Sequence, residues 1–139
     1  MRVPIYLARV LAYVKLSPRT RVQPEDAMCV RFANELRAAT LDGRLRGVWF
    51  HPANELCYGH RTGVRAAISR AMGMHIGVAD FVFQWADGSA ALEAKYGKNG
   101  LTAGQDDFRA WCEREGVRHR VFRSVEEGLD ALREWGVLV

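Results

Sequence analysis

The stretch Gly77-Val78-Ala79-Asp80-Phe81-Val82-Phe83-Gln84-Trp85-Ala86-Asp87-Gly88-Ser89-Ala90-Ala91-Leu92-Glu93-Ala94-Lys95 decides how this chain is read. Asp87-Gly88 sits between apolar runs, and Asp-Gly in that setting is a strong hairpin signal. With Asp87 and Gly88 as a two-residue loop, Ala86 pairs with Ser89, Val82 lies opposite Glu93, and Asp80 lies opposite Lys95. The three charged side chains then share one face. Leu92 and Ala94 turn the other way, toward the expected core. Opposed Cβ atoms in such a pair are roughly 4.5–5.5 Å apart and diagonal ones roughly 7–8 Å, so carboxylates at 80 and 93 can lean onto one cation. The arrangement depends on the register of the hairpin.

Two carboxylates on a rigid hairpin make a hard, oxygen-donor site. Mg²⁺ takes oxygen ligands at about 2.0–2.1 Å in octahedral geometry and keeps several waters. Such an ion acts on a phosphodiester as a Lewis acid and activates the attacking water. Lys95, on the same face, can hold that water, touch the scissile phosphate, or act as a base if its pKa is depressed. The residues leave these roles open. A Glu-x-Lys on a half-exposed strand is also an ordinary solvated face, so the flanks carry the weight. After Lys95, Tyr96-Gly97-Lys98-Asn99-Gly100-Leu101 is a glycine-bearing turn, and Thr102-Ala103-Gly104-Gln105 opens a helix.

Taken together, Gly77-x-x-Asp80, Glu93-x-Lys95 and Gly100-Leu101-Thr102-x-x-Gln105-x-x-Phe108 resemble the VRR-NUC branch of the PD-(D/E)XK nucleases, from about Glu25 to Trp135. The resemblance implies an α/β restriction-endonuclease-like fold, a mixed central sheet flanked by helices. It makes Asp80, Glu93 and the Ala94 carbonyl the metal ligands, Lys95 the active-site lysine, and Gln105 the supporting glutamine on the next helix. Glu25 matches the acid that the family carries on its first helix. The implied cofactor is Mg²⁺, with Mn²⁺ able to substitute. By the same resemblance, to minimal stand-alone viral and bacterial proteins, the chain is a homodimeric, structure-selective endonuclease on branched DNA such as Holliday junctions. Ala79 stands where the family frequently has proline, and Ala53 interrupts its Pro-Asn turn, which puts any role of Asn54 in question.

Two of these residues have structural explanations as well. Thr102-x-x-Gln105 is a capping box, with Gln105 reaching back to the Thr102 amide; both roles can hold at once. Glu25 also suits a helix N-terminus, where the dipole stabilises negative charge. Arg61, Arg65 and Arg70 on a helix expected over 60–73, and Lys98 in the turn, are candidates for DNA phosphate contacts or simply solvated charges.

At 139 residues the chain is long enough for one core without staples. A hydrophobic fraction of 49% and a charged fraction of 26% are those of an ordinary globule, so little disorder is expected. Lys and Arg number 20 against 16 Asp and Glu, a net charge of +4, which modestly favours a polyanionic partner. Cys29, Cys57 and Cys112 are odd in number and form no Cys-x-x-Cys, which argues against a disulfide framework or a structural zinc and fits a reducing cytoplasm. His51, Cys57 and His60 match no standard zinc spacing.

Arg2, Arg9 and Lys15 interrupt the apolar run Met1–Leu16, so neither a membrane span nor a leader is expected. Leu7, Val10, Leu11 and Val14 recur at helical spacing. Residues 1–24 are therefore an added helix, or a strand where Val3 to Leu7 fits either period, and a linker, a candidate dimerising segment ahead of a domain over 25–139. Met28, Phe32, Leu36 and Ala39 mark the buried stripe of its first helix. The expected order is helix, strand, helix, hairpin, helix, strand, helix. No P-loop, dinucleotide motif or nucleophile elbow is present. The competing classes are a non-catalytic DNA-binding or interaction protein that keeps the fold, and a small-molecule enzyme with a closed pocket.

Overall fold

The structure, a computed structural model, describes residues 3–53 and 63–139. Its elements are α1 (Ile5–Val10), α2 (Pro24–Leu41), β1 (Val48–Phe50), α3 (Gly63–Ala71), β2 (Phe81–Trp85), β3 (Gly88–Ala94), α4 (Ala103–Arg114), β4 (Arg118–Phe122) and α5 (Val125–Glu134). From α2 onward this is the expected order. The strands form one sheet, β1-β2-β3-β4. The β1–β2 and β2–β3 pairs are antiparallel and β3–β4 is parallel, and α4 supplies the crossover that a parallel pair requires. The chain is thus a mixed α/β domain with helices on both faces of a mixed sheet.

Alternation along β2 and β3 sorts the two faces. Phe81, Phe83, Ala90, Leu92 and Ala94 are buried on one side, against Met28, Phe32, Leu36 and Ala39 of α2 and Leu129 and Leu132 of α5. The α2 stripe is the one its spacing predicts. Pro24 at the start and Glu25 and Asp26 in the first turn suit the N-terminus of that helix. Phe32 is the hub: its ring lies edge-on to Phe81 at 4.9 Å and tilted against Phe122 at 4.7 Å. Gly128 in α5 makes room for it, since a Cβ there would stand 2.7 Å from Phe32 Cε2. The opposite face carries α4, with the Phe108 ring 6.0 Å from that of His119 on β4.

The hairpin differs from expectation by two residues. Phe81 pairs with Leu92, Val82 with Ala91, Phe83 with Ala90, Gln84 with Ser89 and Trp85 with Gly88. Ala86 and Asp87 are therefore the loop. Among the described residues neither Gly88 nor any non-glycine residue has positive φ, so Asp87-Gly88 does not form the turn for which that dipeptide is prized. The nearest neighbour of Gly88 is the tip of a flexible side chain, which can move aside. A Cβ on Gly88 would lie 2.6 Å from Arg118 Nη1, and Arg118 stacks 5.3 Å above the Trp85 ring. Because side chains alternate with period two, a two-residue shift keeps every side chain on its expected face. Only the opposite numbers change: continuing the ladder by one pair, Asp80 faces Glu93 and not Lys95.

Other expectations are corrected in part. The N-terminal helix is shorter than its stripe: α1 ends at Val10, which is 75% exposed, and Leu11, just beyond it, packs inward. What fastens the segment is polar. Buried Asn34 of α2 accepts from the Val14 amide at 3.1 Å and donates to the Val14 carbonyl at 2.8 Å. On α4 the spacing of Phe108, Trp111 and Cys112 predicts one buried stripe; Cys112 is buried, but Trp111 stays half-exposed, its ring 5.5 Å from His75. The helix expected over 60–73 is observed as α3, and Arg61, Asn54, Cys57 and His60 lie outside the described residues. Among the described residues no helix is long and apolar enough to cross a membrane.

Phe32→Ala is expected to cost about 3–5 kcal/mol of stability, the usual penalty for emptying an aromatic core site. Urea denaturation monitored by circular dichroism measures it, and a loss below about 1 kcal/mol would contradict the role of Phe32 as hub.

Candidate active site

Asp80 immediately precedes β2, Glu93 lies near the end of β3, and Lys95 immediately follows it. All three belong to the α4 side of the sheet. Asp80 Oδ2 accepts a hydrogen bond from the Ala94 amide at 2.8 Å. Glu93 is 2% exposed; its Oε1 accepts from Gln105 Nε2 at 2.8 Å, while Oε2 is buried without a donor. Burial and the neighbouring Asp80 carboxylate push Glu93 up to about 9, against the smaller opposing pull of Lys95. Burial also raises Asp80, opposed by the Ala94 amide, by a hydrogen bond with the Glu93 carboxyl and by the charges of His51 and Lys95. Two acids this close and this dry titrate as a pair.

Gln105 makes the capping box read from the sequence, and its side chain also reaches Glu93. Its backbone amide donates to Thr102 Oγ1 at 3.3 Å and its Oε1 accepts from the Thr102 amide at 2.9 Å, completing the capping box. The other end of the same amide group holds Glu93. The start of α4 is pressed against the approach to Asp80 by two glycines. Gly77 has φ of +86°, and a Cβ there would fall 2.2 Å from the Gly104 carbonyl oxygen, so only glycine meets both conditions.

Glu25 sits in the first turn of α2 and its Oε2 accepts from the Tyr96 amide at 3.3 Å, tying α2 to the loop after β3. It is a neighbour of the site and anchors the chain next to Lys95. Lys95 itself is 7% exposed, with its backbone amide bonded to the Phe122 carbonyl at 3.0 Å. Arg65 on α3 and Lys98 in the 96–101 turn are exposed to solvent.

The site opens onto a cleft of about 470 Å³ lined by Val14, Asp26, Cys29, Arg37, His51 and Asp80, among others. Sequence reasoning missed most of these. His51 Nδ1 donates to the Asp80 carbonyl at 2.6 Å, and its ring is 5.6 Å from Phe81. The signal that finds it is strand pairing: Phe50 opposes Val82, so His51, the residue after β1, falls opposite Phe81 and next to the Asp80 carbonyl. Cys29 is reached through α2, one turn beyond Glu25. Burial, then the charges of Asp80, Glu25, Asp26 and Glu93, hold its thiol far above the ordinary range.

The donor chemistry fits a hard divalent cation. Two carboxylates stand side by side, and one buried oxygen, Glu93 Oε2, has no hydrogen-bond donor. A strand residue projects its N–H and C=O to the same edge, so Ala94, whose amide reaches Asp80, also directs its carbonyl to that side. Among the described residues no group of three or more His, Cys, Asp or Glu side chains converges on one point. The candidate shell is therefore the two carboxylates with backbone and water, a pattern that suits Mg²⁺. Compared with family models, curated proteins and solved structures, the chain matches none.

The raised Glu93 predicts a pH dependence of stability. Between its unfolded value, near 4.5, and about 9, the folded metal-free protein holds a proton that the unfolded chain has released. Stability from this group is thus full at low pH and falls as pH rises, by at most about 1.4 kcal/mol per unit. Glu93→Gln is expected to flatten that slope in chelator-containing buffer, read as Tm between pH 5 and 9, and an unchanged slope would contradict it. A second expectation concerns Gly77→Ala, which forces a side chain into left-handed backbone against Gly104. A Tm loss of several degrees, with weaker divalent-cation binding by calorimetry, is expected; wild-type values in both would contradict the packing of α4 on this segment.

Proposed function

We propose that the chain is a metal-dependent DNA endonuclease of the PD-(D/E)XK type, close to its VRR-NUC branch. The observation that carries this reading is the buried Asp80–Glu93 pair, with Glu93 Oε2 left without a donor and Lys95 next along the same face. A mixed sheet with helices on both sides, the acids at one end of a hairpin and a glutamine on the following helix support it. A bound Mg²⁺ supplies Lewis-acid stabilisation of the developing charge and an activated water. Asp80 and Glu93 hold it, with the Ala94 carbonyl as the backbone ligand. Gln105 keeps Glu93 turned into the site. Lys95 presents its ammonium to the water or to the phosphate, and Arg65 and Lys98 contribute positive charge for the strand. A buried, raised pair of acids is also what a cation-binding site looks like without its counter-charge.

The substrate we infer is branched DNA such as a Holliday junction, and the working unit a homodimer. Ile5, Tyr6, Val10 and Tyr13 of the N-terminal segment are 64–75% exposed, an apolar surface suited to a second copy, and pairing two sites is a direct route to cutting two strands. The second reading, a non-catalytic DNA-binding protein, gains from the net charge of +4 and needs no metal.

Cleavage of four-way junction, flap and linear DNA in Mg²⁺ or Mn²⁺ tests the reading. Asp80→Ala and Lys95→Ala are each expected to lower the rate about 10²–10³-fold. Wild type and variants that bind DNA but are equally inert would leave the binding protein as the answer. Light scattering is expected to give twice the chain mass of 15.7 kDa; a monomer at micromolar concentration would remove the dimer.

A further inference from the structure

The end of the sheet that carries the acids continues into a second cleft, of about 460 Å³. It is lined by Met28 and Arg31 of α2, by Tyr96, and by Arg123, Ser124 and Glu126 where β4 meets α5. Tyr96 directly follows Lys95, so this cleft begins at the next residue from the candidate active site. Arg123 is already set in place: its Nη1 donates to the Gly97 carbonyl at 2.9 Å and to the Asn99 carbonyl at 2.8 Å. That clamp fixes the 96–101 turn and leaves the rest of the guanidinium fork free to donate.

Arg31 makes no hydrogen bond or ion pair among the described residues, and its side chain is exposed. Tyr96 is 53% exposed while its backbone is held by Glu25 at 3.3 Å, so a phenol sits at the mouth on a fixed stem. The other polar groups are engaged. Ser124 Oγ accepts from the Glu127 amide at 3.1 Å, the Arg123 amide donates to Glu127 Oε2 at 2.7 Å, and Glu126 pairs with Arg133 at 3.5 Å. What the cleft offers an anion is two guanidiniums and a phenol, beside a Glu126 carboxylate that Arg133 partly neutralises. Like charges around one cavity repel, and an anion between them turns that repulsion into attraction. Guanidinium forks match phosphate oxygens in geometry as well as charge.

We propose that this cleft is a phosphate subsite, in which Arg31 and Arg123, with Tyr96 at the mouth, hold a backbone phosphodiester of the DNA strand adjacent to the one presented to Lys95. The proposal rests on the nuclease reading. Its contribution is to register and affinity, with no readout of sequence. Neither arginine is among the basic residues picked from sequence, since Arg31 looks there like any exposed helical charge and Arg123 like the end of a strand.

The test is fluorescence anisotropy of labelled duplex and four-way junction DNA in chelator-containing buffer over a salt series. Arg31→Ala is expected to weaken binding about three- to tenfold and to lower the slope of log Kd against log salt by about one. Arg31→Lys should keep the slope while losing part of the affinity, and Arg114→Ala, on the exposed C-terminal turn of α4, should change neither. Wild-type affinity and slope in both Arg31→Ala and Arg123→Ala would overturn the subsite. If Asp80-dependent cleavage persists in those variants, the nuclease reading survives that failure; wild type that neither binds nor cuts DNA sinks both. Titration of inorganic phosphate, followed by NMR, separates the sources. Saturable shifts that vanish in Arg31→Ala, without an Arg31 effect on DNA, would assign the cleft to a free phosphate group and overturn the polynucleotide assignment.

Discussion

Asp80 and Glu93 face one another across the β2–β3 ladder, and two carboxylates brought that close in a dry place have to be held there. Left to themselves they would separate or neutralise. The surrounding structure is organised to prevent the first and only partly offsets the second. The Ala94 amide takes one oxygen of Asp80, and the Gln105 amide takes one of Glu93. Burial raises both acids. In the metal-free protein a proton held on Glu93 relieves the repulsion; in the function we propose, a divalent cation takes that place.

Four separate elements converge to keep that pair in register. The hairpin sets the two acids opposite each other. The α4 N-terminus brings Gln105, and its position depends on the backbone contact of Gly77 with Gly104. The first turn of α2 brings Glu25 to the Tyr96 amide, and the end of β1 brings His51 to the Asp80 carbonyl. Behind them the Phe32, Phe81 and Phe122 cluster locks α2 to the sheet, so the same core that stabilises the domain also aims the helix that closes the site.

Much of this was legible in the residues. The alternation of β2 and β3 assigns faces without any structure, and it survives an error of two in the register because parity is all it uses. The α2 stripe and the Thr102–Gln105 box are local patterns with local causes, so they appear where the spacing puts them. The turn falls one residue before Asp87-Gly88 because register is set by pairing along the whole of both strands, which a dipeptide signal does not see. At the N-terminus the amphipathic pattern says which face is apolar and not what covers it, and the contact that fastens this segment to the domain is an asparagine.

By itself, then, the sequence determined the elements, their order, and which side of each strand or helix carries charge, because those follow from periods of two and 3.6 residues and from caps within a few positions. It also marked Asp80, Glu93, Lys95 and Gln105 as one group. Tertiary structure decided the rest: that Asp80 meets Glu93 head-on, that His51 and Cys29 stand at the same cleft, and that Arg31 and Arg123 share another. These are distances between residues far apart in the chain. They are set by packing of side chains and close contact of backbones, and no local propensity encodes them.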